Sequence, residues 1–268
     1  MENTNDIQKS LANKYFSRKT IDEIISSKAT VKNDWEDLYI YLNKNYRNEY
    51  YYKNTLFNKF VIGKYSPRTS YATGEVIINR SRADFLLVNN NDAFIFEIKT
   101  ELDTLDKLIY QVEDYYKVCS TVYILVSEDK YYPAYKLLKD YKVGICVLTK
   151  TNTISIRKLP EEDNSRLSHE ALFKLLRKDE YEYLIEQEFK KIPNLKEVHK
   201  FKEYMKKFKL LDIKKCQIIV FKQLNRRKKG VDVEYIKRVP FELRWLVYQA
   251  NLNRKNYERL LENILGGK

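Results

Sequence analysis

Two acidic residues and one lysine interrupt two short apolar runs of the sequence. Asp84 lies within "RADFLLV", and Glu97 and Lys99 lie within "AFIFEIK". Strand alternation places Glu97 and Lys99 on one face and the neighbouring apolar residues on the other. If the two runs pair as a hairpin, Asp84 and Glu97 converge, and two carboxylates with a partly buried flank are best accommodated by a cation. The pattern therefore indicates a metal site.

The chemistry that such a site would perform is hydrolysis at a phosphate. Carboxylate oxygens with room for water suit Mg²⁺ or Mn²⁺. A lysine beside the metal can stabilise charge that develops on a phosphate or orient the attacking water. The structural alternative is a salt-bridged strand end in which Asp84 pairs with Lys99 or Arg82, and the strand pair alone leaves both interpretations open.

An acid two residues before a lysine is by itself a weak signal. Five such tripeptides occur in this lysine-rich chain, and the other four begin at Glu128, Asp140, Glu188 and Asp212. Only Glu97–Lys99 lies on a predicted strand beside another acid-bearing strand and leads directly into an amphipathic segment. Context therefore selects this pair.

The elements around the pair predict an α/β fold. Short β-rich runs begin at "EVIIN", and an Asn-Asn-Asn-Asp turn between the second and third runs favours a hairpin. Residues 102–118 have the periodicity of an amphipathic helix. Buried strands, one further helix and "NTISIRKL" follow. The order ββ-β-α-β-α-β predicts a mixed sheet with helices packed on it.

Helical periodicity also precedes and follows this region. Residues 1–60 are predicted to form helices, and "PEEDNS" at 160–165 has the composition of a linker. Beyond it, helices are expected near 167–177, 179–190, 196–209, 212–226 and 241–263. We therefore predict a domain over residues 1–160, with N-terminal helices, and a basic all-α domain over 161–268.

The charge balance favours a polyanionic partner. The formal net charge is +13, and residues 161–268 hold 26 Lys and Arg against 17 Asp and Glu. Nucleic acid is the simplest partner for such a chain, although a lysine-rich composition is also typical of an AT-rich genome.

Other residue types exclude several classes of function. Three isolated cysteines provide neither a disulfide framework nor zinc-ligand spacing. The two histidines lie 30 residues apart, which argues against histidine-centred chemistry. No apolar run approaches the roughly 18 residues of a membrane span. The polar first residues lack a signal-peptide pattern, so we expect a cytoplasmic protein without membrane contact.

Asp84 followed by Glu97-Ile98-Lys99, on a hairpin that leads into a helix, resembles the PD-(D/E)XK nuclease superfamily. Ala83 stands where the proline of the superfamily name would be. Gln111 and Tyr115 resemble the Gln-x-x-x-Tyr motif of RecB-like members. The phrase Glu-Ile-Lys-Thr-Glu-Leu-Asp, with "EVIINRSRADF" and the helical second half, resembles a little-characterised bacterial and phage branch of this superfamily.

The resemblance implies a restriction-endonuclease-like mixed sheet flanked by helices and a metal-dependent nuclease that acts on nucleic acid, with DNA favoured over RNA. Asp84, Glu97 and the Ile98 carbonyl would hold Mg²⁺ or Mn²⁺. Glu75 would complete the ligands, with Glu49 as the alternative upstream acid. Lys99 would polarise the water or the phosphate, and Gln111 and Tyr115 would position Lys99 or the nucleic-acid backbone.

Basic residues outside this site are candidates for contacts with backbone phosphates. They are Lys53, Lys59, Arg82, Arg226, Arg227, Lys228 and Lys229. For the "YKN…NK" phrase that contains Lys53 and Lys59, a solvated helix face is the alternative. A protein that keeps the nuclease scaffold without catalysis, and acts by binding or regulation, is the alternative function. The sequence leaves room for a homo-oligomer and for a protein partner.

Overall fold

The computed structural model describes residues 4–27, 35–190, 196–227 and 233–266. The chain forms two compact units. We call residues 1–68 with 229–268 the terminal unit, and residues 69–228 the sheet unit. Among the described helices, none combines the length and the apolar character that crossing a membrane requires.

The terminal unit is built from helices of both chain ends. They are α1 (Thr4–Tyr15), α2 (Arg18–Ser26), α3 (Trp35–Asn45), α4 (Glu49–Leu56), which continues as a π-helix over Phe57–Ile62, α11 (Val233–Arg238), a 3-10 turn (Phe241–Leu243), α12 (Arg244–Ala250) and α13 (Arg254–Leu265). The two ends are joined where Asn263 Nδ2 donates to the Ile24 carbonyl at 2.7 Å. The helix predicted over 241–263 is interrupted at Asn251, whose φ of 51° ends α12.

A buried polar network joins α4 to the C-terminal helices. Asn54 is fully buried, and its amide donates to Tyr39 Oη and to the Phe241 carbonyl, each at 3.0 Å. Its oxygen accepts from the Trp245 backbone N–H at 3.0 Å. Asn58 donates to the Asn54 carbonyl at 2.9 Å. Since each bond satisfies a buried group, the network fixes how the two chain ends pack.

Asn54→Ala is expected to lower the free energy of unfolding by about 2–3 kcal/mol, because it leaves buried partners without a hydrogen bond. Denaturant unfolding checks this change. Asn45→Ala is the control, since Asn45 lies exposed on α3 and its amide donates to the Tyr41 carbonyl of the same helix. Equal losses for the two variants would contradict a structural role for the network.

The sheet unit is organised around one six-stranded mixed sheet. Its strands are β1 (Ser70–Ile78), β2 (Ser81–Asn89), β3 (Asp92–Lys99), β4 (Val122–Ser127), β5 (Gly144–Leu148) and β6 (Ile154–Lys158), and they lie side by side in that order. β1, β2 and β3 are antiparallel, β3, β4 and β5 are parallel, and β6 returns antiparallel to β5. The predicted α/β fold with a mixed sheet, the order of its elements along the chain and the β2–β3 hairpin are confirmed.

Within the described residues, six helices complete the sheet unit. They are α5 (Leu108–Tyr115), α6 (Tyr131–Leu138), α7 (His169–Lys174), α8 (Lys178–Phe189), α9 (Glu197–Phe208) and α10 (Ile213–Arg226). Residues of α7 to α10 belong to the same apolar core as the sheet, and α10 packs on β1, β2 and β3. The compact units therefore differ from the predicted division at residue 160, because apolar side chains bury α7 to α10 against the sheet.

The helix predicted over residues 102–118 is shorter in the structure. The Thr100 backbone N–H and the Thr100 hydroxyl both donate to Asp103 Oδ2 at 2.7 Å, which holds a turn directly after Lys99. Such side-chain bonds to local backbone compete with helix formation. α5 therefore begins at Leu108, and Leu102 is exposed instead of lying on the buried face.

Candidate active site

The hairpin brings Asp84 and Glu97 together as the sequence predicts. Phe85 on β2 pairs with Phe96 on β3, so the same register sets Asp84 opposite Glu97. Asp84 Oδ2 accepts a hydrogen bond from the Ile98 backbone N–H at 2.7 Å. Directly opposite residues of an antiparallel pair share one face, so the two carboxylates lie on the same side of the sheet.

Glu97 is the centre of a buried polar cluster. Its side chain is 2% exposed. Glu97 Oε1 accepts from Lys99 Nζ at 2.8 Å and from Gln111 Nε2 at 2.5 Å, and Oε2 accepts from the Tyr115 hydroxyl at 2.5 Å. Lys99 therefore pairs with Glu97 rather than with Asp84, which was the structural alternative for the lysine.

Helix α5 supplies two of these donors from one face. Gln111 and Tyr115 are four residues apart, so their side chains project one turn from each other. Tyr115 also donates to the Arg82 carbonyl on β2 at 3.0 Å. The hydroxyl thereby bridges the helix to two neighbouring strands.

The electrostatics of the cluster follow from its burial. Burial raises the pKa of the Glu97 carboxyl, while the Lys99 charge and the hydrogen bonds from Lys99, Tyr115 and Gln111 act in the opposite direction. Burial and the Glu97 charge raise the pKa of Tyr115, so its hydroxyl remains a proton donor at neutral pH.

Glu75 lies on β1 beside Asp84. Gly74 pairs with Phe85 and Val76 with Ala83, and carboxylate oxygens of Glu75 and Asp84 lie within 4.8 Å of each other. Glu75 also forms an ion pair with Arg82 at 2.8 Å. The alternative acid, Glu49, starts α4 in the terminal unit and pairs there with Lys53.

The backbone of Glu75 has a φ of 59°, which is strained for a residue other than glycine. Such strain within a strand is typical of positions where function constrains the chain. We expect Glu75→Gly to be about 1 kcal/mol more stable than Glu75→Ala, since both remove the carboxylate and only glycine relieves the strain.

Under the nuclease activity that the sequence resemblance implies, both Glu75 variants are expected to cleave nucleic acid at least ten-fold more slowly than wild type. Denaturant unfolding and single-turnover rates measure the two effects. Equal stability of the two variants would show that the left-handed backbone stores no strain, and an unchanged rate would remove Glu75 from the candidate site.

The donor set suits a hard divalent cation. Asp84, Glu97 and Glu75 offer carboxylate oxygens on adjacent strands, and Asp84 and Glu75 are accessible to solvent. Oxygen ligands of this kind are preferred by Mg²⁺ and Mn²⁺. The backbone N–H of Ile98, whose carbonyl was the predicted third protein ligand, donates to Asp84.

The predicted phosphate-contacting residues have different environments. Arg82 is exposed and paired with Glu75, and Lys59 is exposed in the π-helical segment. Lys53 is buried and paired with Glu49. Lys228 and Lys229 lie outside the described residues.

Arg226 and Arg227 differ although they are adjacent. Arg226 is exposed, lies over the Tyr183 ring at 4.9 Å and donates to Gln223. Arg227 is largely buried, pairs with the buried Glu180 and donates to the Leu175 carbonyl at 2.8 Å. The Arg227 charge is therefore balanced within the sheet unit.

This pair of arginines provides a matched prediction. Arg227→Ala should cost about 3 kcal/mol of unfolding free energy because it leaves Glu180 buried without its cation, whereas Arg226→Ala should stay within about 0.5 kcal/mol. If the chain binds nucleic acid as its charge predicts, Arg226→Ala should instead weaken that binding and reduce its salt dependence by about one ion. Denaturant unfolding measures the stability of each variant, and binding at several salt concentrations measures the affinity. A larger stability loss for Arg226→Ala than for Arg227→Ala would contradict the assigned burial of the two arginines.

Asp114, which the sequence pattern did not single out, is buried on α5 and accepts hydrogen bonds from the turn between β1 and β2. The available signal was weak, because Asp114 stands between Glu113 and Tyr115 in a helix that also holds Gln111. Opposing carboxylates on a strand pair are easier to recognise, because strand alternation alone places them.

Comparison with known proteins identifies the family. A solved structure described as a protein of unknown function, SPO1766 from Silicibacter pomeroyi, is 16% identical with a TM-score of 0.30, and the match covers 46% of this chain and 82% of that chain. No curated protein matches the chain. The family model described as bacteriophage P4 protein cII matches residues 42–242, which include every described residue of the candidate site. The chain belongs to the bacteriophage P4 protein cII family.

Proposed function

We propose that this protein is a metal-dependent nuclease of the PD-(D/E)XK type that hydrolyses phosphodiester bonds, with DNA favoured over RNA as substrate. The supporting observation is the Glu97 cluster. A buried carboxylate accepts hydrogen bonds from Lys99, Gln111 and Tyr115, and Asp84 lies opposite it in the hairpin register. This arrangement matches the roles that the sequence resemblance implies.

Asp84, Glu97 and Glu75, with the Ile98 carbonyl, would hold Mg²⁺ or Mn²⁺. The bound ion would supply charge stabilisation at the phosphate and lower the pKa of water. Asp84 can take part while it accepts the Ile98 N–H, because a carboxylate oxygen has more than one lone pair.

The protein residues would orient and balance the site. Tyr115 and Gln111 hold the two oxygens of Glu97 in one orientation, because each donates to a different oxygen. Lys99 brings an ammonium group 2.8 Å from Glu97 Oε1. A fixed cation at this position would stabilise the negative charge that develops on the phosphate, and it would do so without the free-energy cost of reorganising solvent.

Contacts to the nucleic-acid backbone would come from exposed cations. Arg82 and Arg226 in the sheet unit and Lys59 in the terminal unit meet this requirement. The net charge of +13 would add a sequence-independent and salt-dependent attraction. Lys53 and Arg227 are left out of the proposed contacts, since each is largely buried against an acidic partner, whereas Arg82 stays exposed while it pairs with Glu75.

The family name refers to a bacteriophage protein, which supports an origin in a phage or another mobile element. A nuclease of such an element would act on nucleic acid in the host cytoplasm, and we propose that location.

The test is incubation of the protein with labelled single-stranded DNA, double-stranded DNA and RNA, each with Mg²⁺, Mn²⁺ or EDTA. We expect cutting of DNA with either ion and none with EDTA. Cutting in EDTA that is as fast as cutting with Mg²⁺ would overturn the proposal. So would the absence of cutting of every substrate with Mg²⁺ and with Mn²⁺.

A second candidate function is binding or regulation without catalysis. The observation that favours it is the closed set of bonds around Glu97, whose three donors stabilise the carboxylate without any ion. Under this alternative, nucleic-acid or protein binding survives both EDTA and replacement of Asp84. The cleavage test therefore separates the two candidates.

A further inference from the structure

Asp114 on α5 collects hydrogen bonds from the turn that joins β1 to β2. Its Oδ1 accepts from Asn79 Nδ2 at 2.6 Å, and its Oδ2 accepts from the Arg80 backbone N–H at 3.2 Å and the Ser81 hydroxyl at 2.8 Å. Lys117 Nζ approaches Oδ1 at 2.6 Å. One buried carboxylate thus binds three consecutive residues of the turn and one lysine.

These bonds suit an ionised carboxylate. Burial alone would raise the pKa of Asp114, but hydrogen bonds from Lys117, Asn79 and Ser81 outweigh it and lower that pKa. Asn79 has a φ of 56°, a conformation that asparagine tolerates in turns. The carboxylate therefore accepts hydrogen bonds from polar groups of the turn that the β1–β2 ladder does not pair.

The next residue on α5 provides a second attachment to the same hairpin. Tyr115 donates to the Arg82 carbonyl and to Glu97. α5 consequently holds β2 at residues 80–82, two positions before Asp84, while it holds the Glu97 carboxylate on β3.

We propose that Asp114 is a positioning residue, which clamps the β1–β2 turn to α5 and thereby sets Asp84 and Glu75 against Glu97 and Lys99. The proposal rests on the proposed nuclease function for its effect on rate. The clamp itself is a property of the fold that can be measured without substrate.

The experiment compares wild type with Asp114→Asn, which keeps the size of the side chain and removes its charge. Lys158→Met is the matched control. Lys158 is also a partly buried charged residue of the sheet unit, and its Nζ bonds the Leu138 carbonyl at 2.8 Å, at the other edge of the sheet. Ser81→Ala removes a single donor and serves if Asp114→Asn does not fold.

Hydrogen exchange at backbone amides is the first readout. In Asp114→Asn we expect amides of residues 79–86 to exchange roughly ten-fold faster than in wild type, with a smaller change at β5 and β6. Lys158→Met should show the reverse pattern, and Ser81→Ala a weaker form of the first. Unchanged exchange at residues 79–86 in both Asp114→Asn and Ser81→Ala would overturn the clamp.

Cleavage kinetics are the second readout. Asp114→Asn should lower kcat roughly ten-fold or more with KM nearly unchanged, because small displacements of catalytic groups reduce rate more than binding. Lys158→Met should leave kcat unchanged. Faster exchange with a wild-type kcat would overturn the positioning role. A wild type that cuts no substrate would overturn the nuclease function instead. The hydrogen-exchange pattern would still show whether Asp114 holds the β1–β2 turn against α5.

Discussion

Lys99→Ala is expected to lower the rate of DNA cleavage by about 10³-fold, since it removes a buried charge that lies 2.8 Å from Glu97, a proposed metal ligand. Lys99 is buried and donates to Glu97, so its charge is held at one position beside that carboxylate. Affinity for nucleic acid should change only a few-fold, because a single cation contributes little to a contact made by many. Single-turnover cleavage and binding in EDTA separate the two quantities.

The same substitution should cost about 3 kcal/mol of unfolding free energy, since it leaves Glu97 buried without its cation. Rates are therefore compared under conditions where both proteins are folded. Lys142→Ala is the matched control, because Lys142 follows Asp140 in another acid-x-Lys tripeptide and is exposed. It should match wild type in rate and stability. A Lys99→Ala variant that cuts as fast as Lys142→Ala would remove Lys99 from the mechanism.

Tyr115→Phe is expected to reduce cleavage by about 10–100-fold, the usual effect of removing a group that orients a metal ligand. The hydroxyl bonds both Glu97 and the Arg82 carbonyl, so its loss should also lower the free energy of unfolding by about 2 kcal/mol. Single-turnover rates and denaturant unfolding provide the two measurements.

The adjacent tyrosine is the control for this prediction. Tyr116 is equally buried, but its hydroxyl has no hydrogen-bond partner among the described residues. Tyr116→Phe should therefore leave the rate unchanged and stabilise the protein by up to about 1 kcal/mol. A similar loss of rate in both variants would indicate that packing of the helix, rather than the Tyr115 hydroxyl, supports the site.

Strand periodicity predicted the part of the candidate site that lies on the sheet. Alternation and the Asn-rich turn were sufficient to set Asp84 opposite Glu97, because both signals are local. The four-residue spacing of Gln111 and Tyr115 likewise predicted two side chains on one helix face, and both reach Glu97. Local geometry therefore accounts for the Glu97 cluster.

Long-range packing explains where the sequence prediction and the structure differ. Asn54 has the appearance of a solvated residue in a polar phrase, and only the return of the chain at Phe241 and Trp245 reveals why it is buried. The sequence does not distinguish Arg226 from Arg227. Only Arg227 is largely buried, because it pairs with Glu180, which another helix contributes. Partners distant along the chain leave no periodic signal.

The most direct test of the central claim is cleavage of labelled DNA by wild type and by Asp84→Asn, purified side by side, with Mg²⁺ and with EDTA. Asp84→Asn keeps the size of the side chain and removes the carboxylate charge that a divalent ion needs. The account predicts cutting by wild type with Mg²⁺ and at least a 10²-fold slower rate for Asp84→Asn, roughly the effect of losing a principal metal ligand, and no cutting in EDTA. Equal rates for the two proteins, or a wild type that binds DNA and leaves it intact with Mg²⁺, would contradict it.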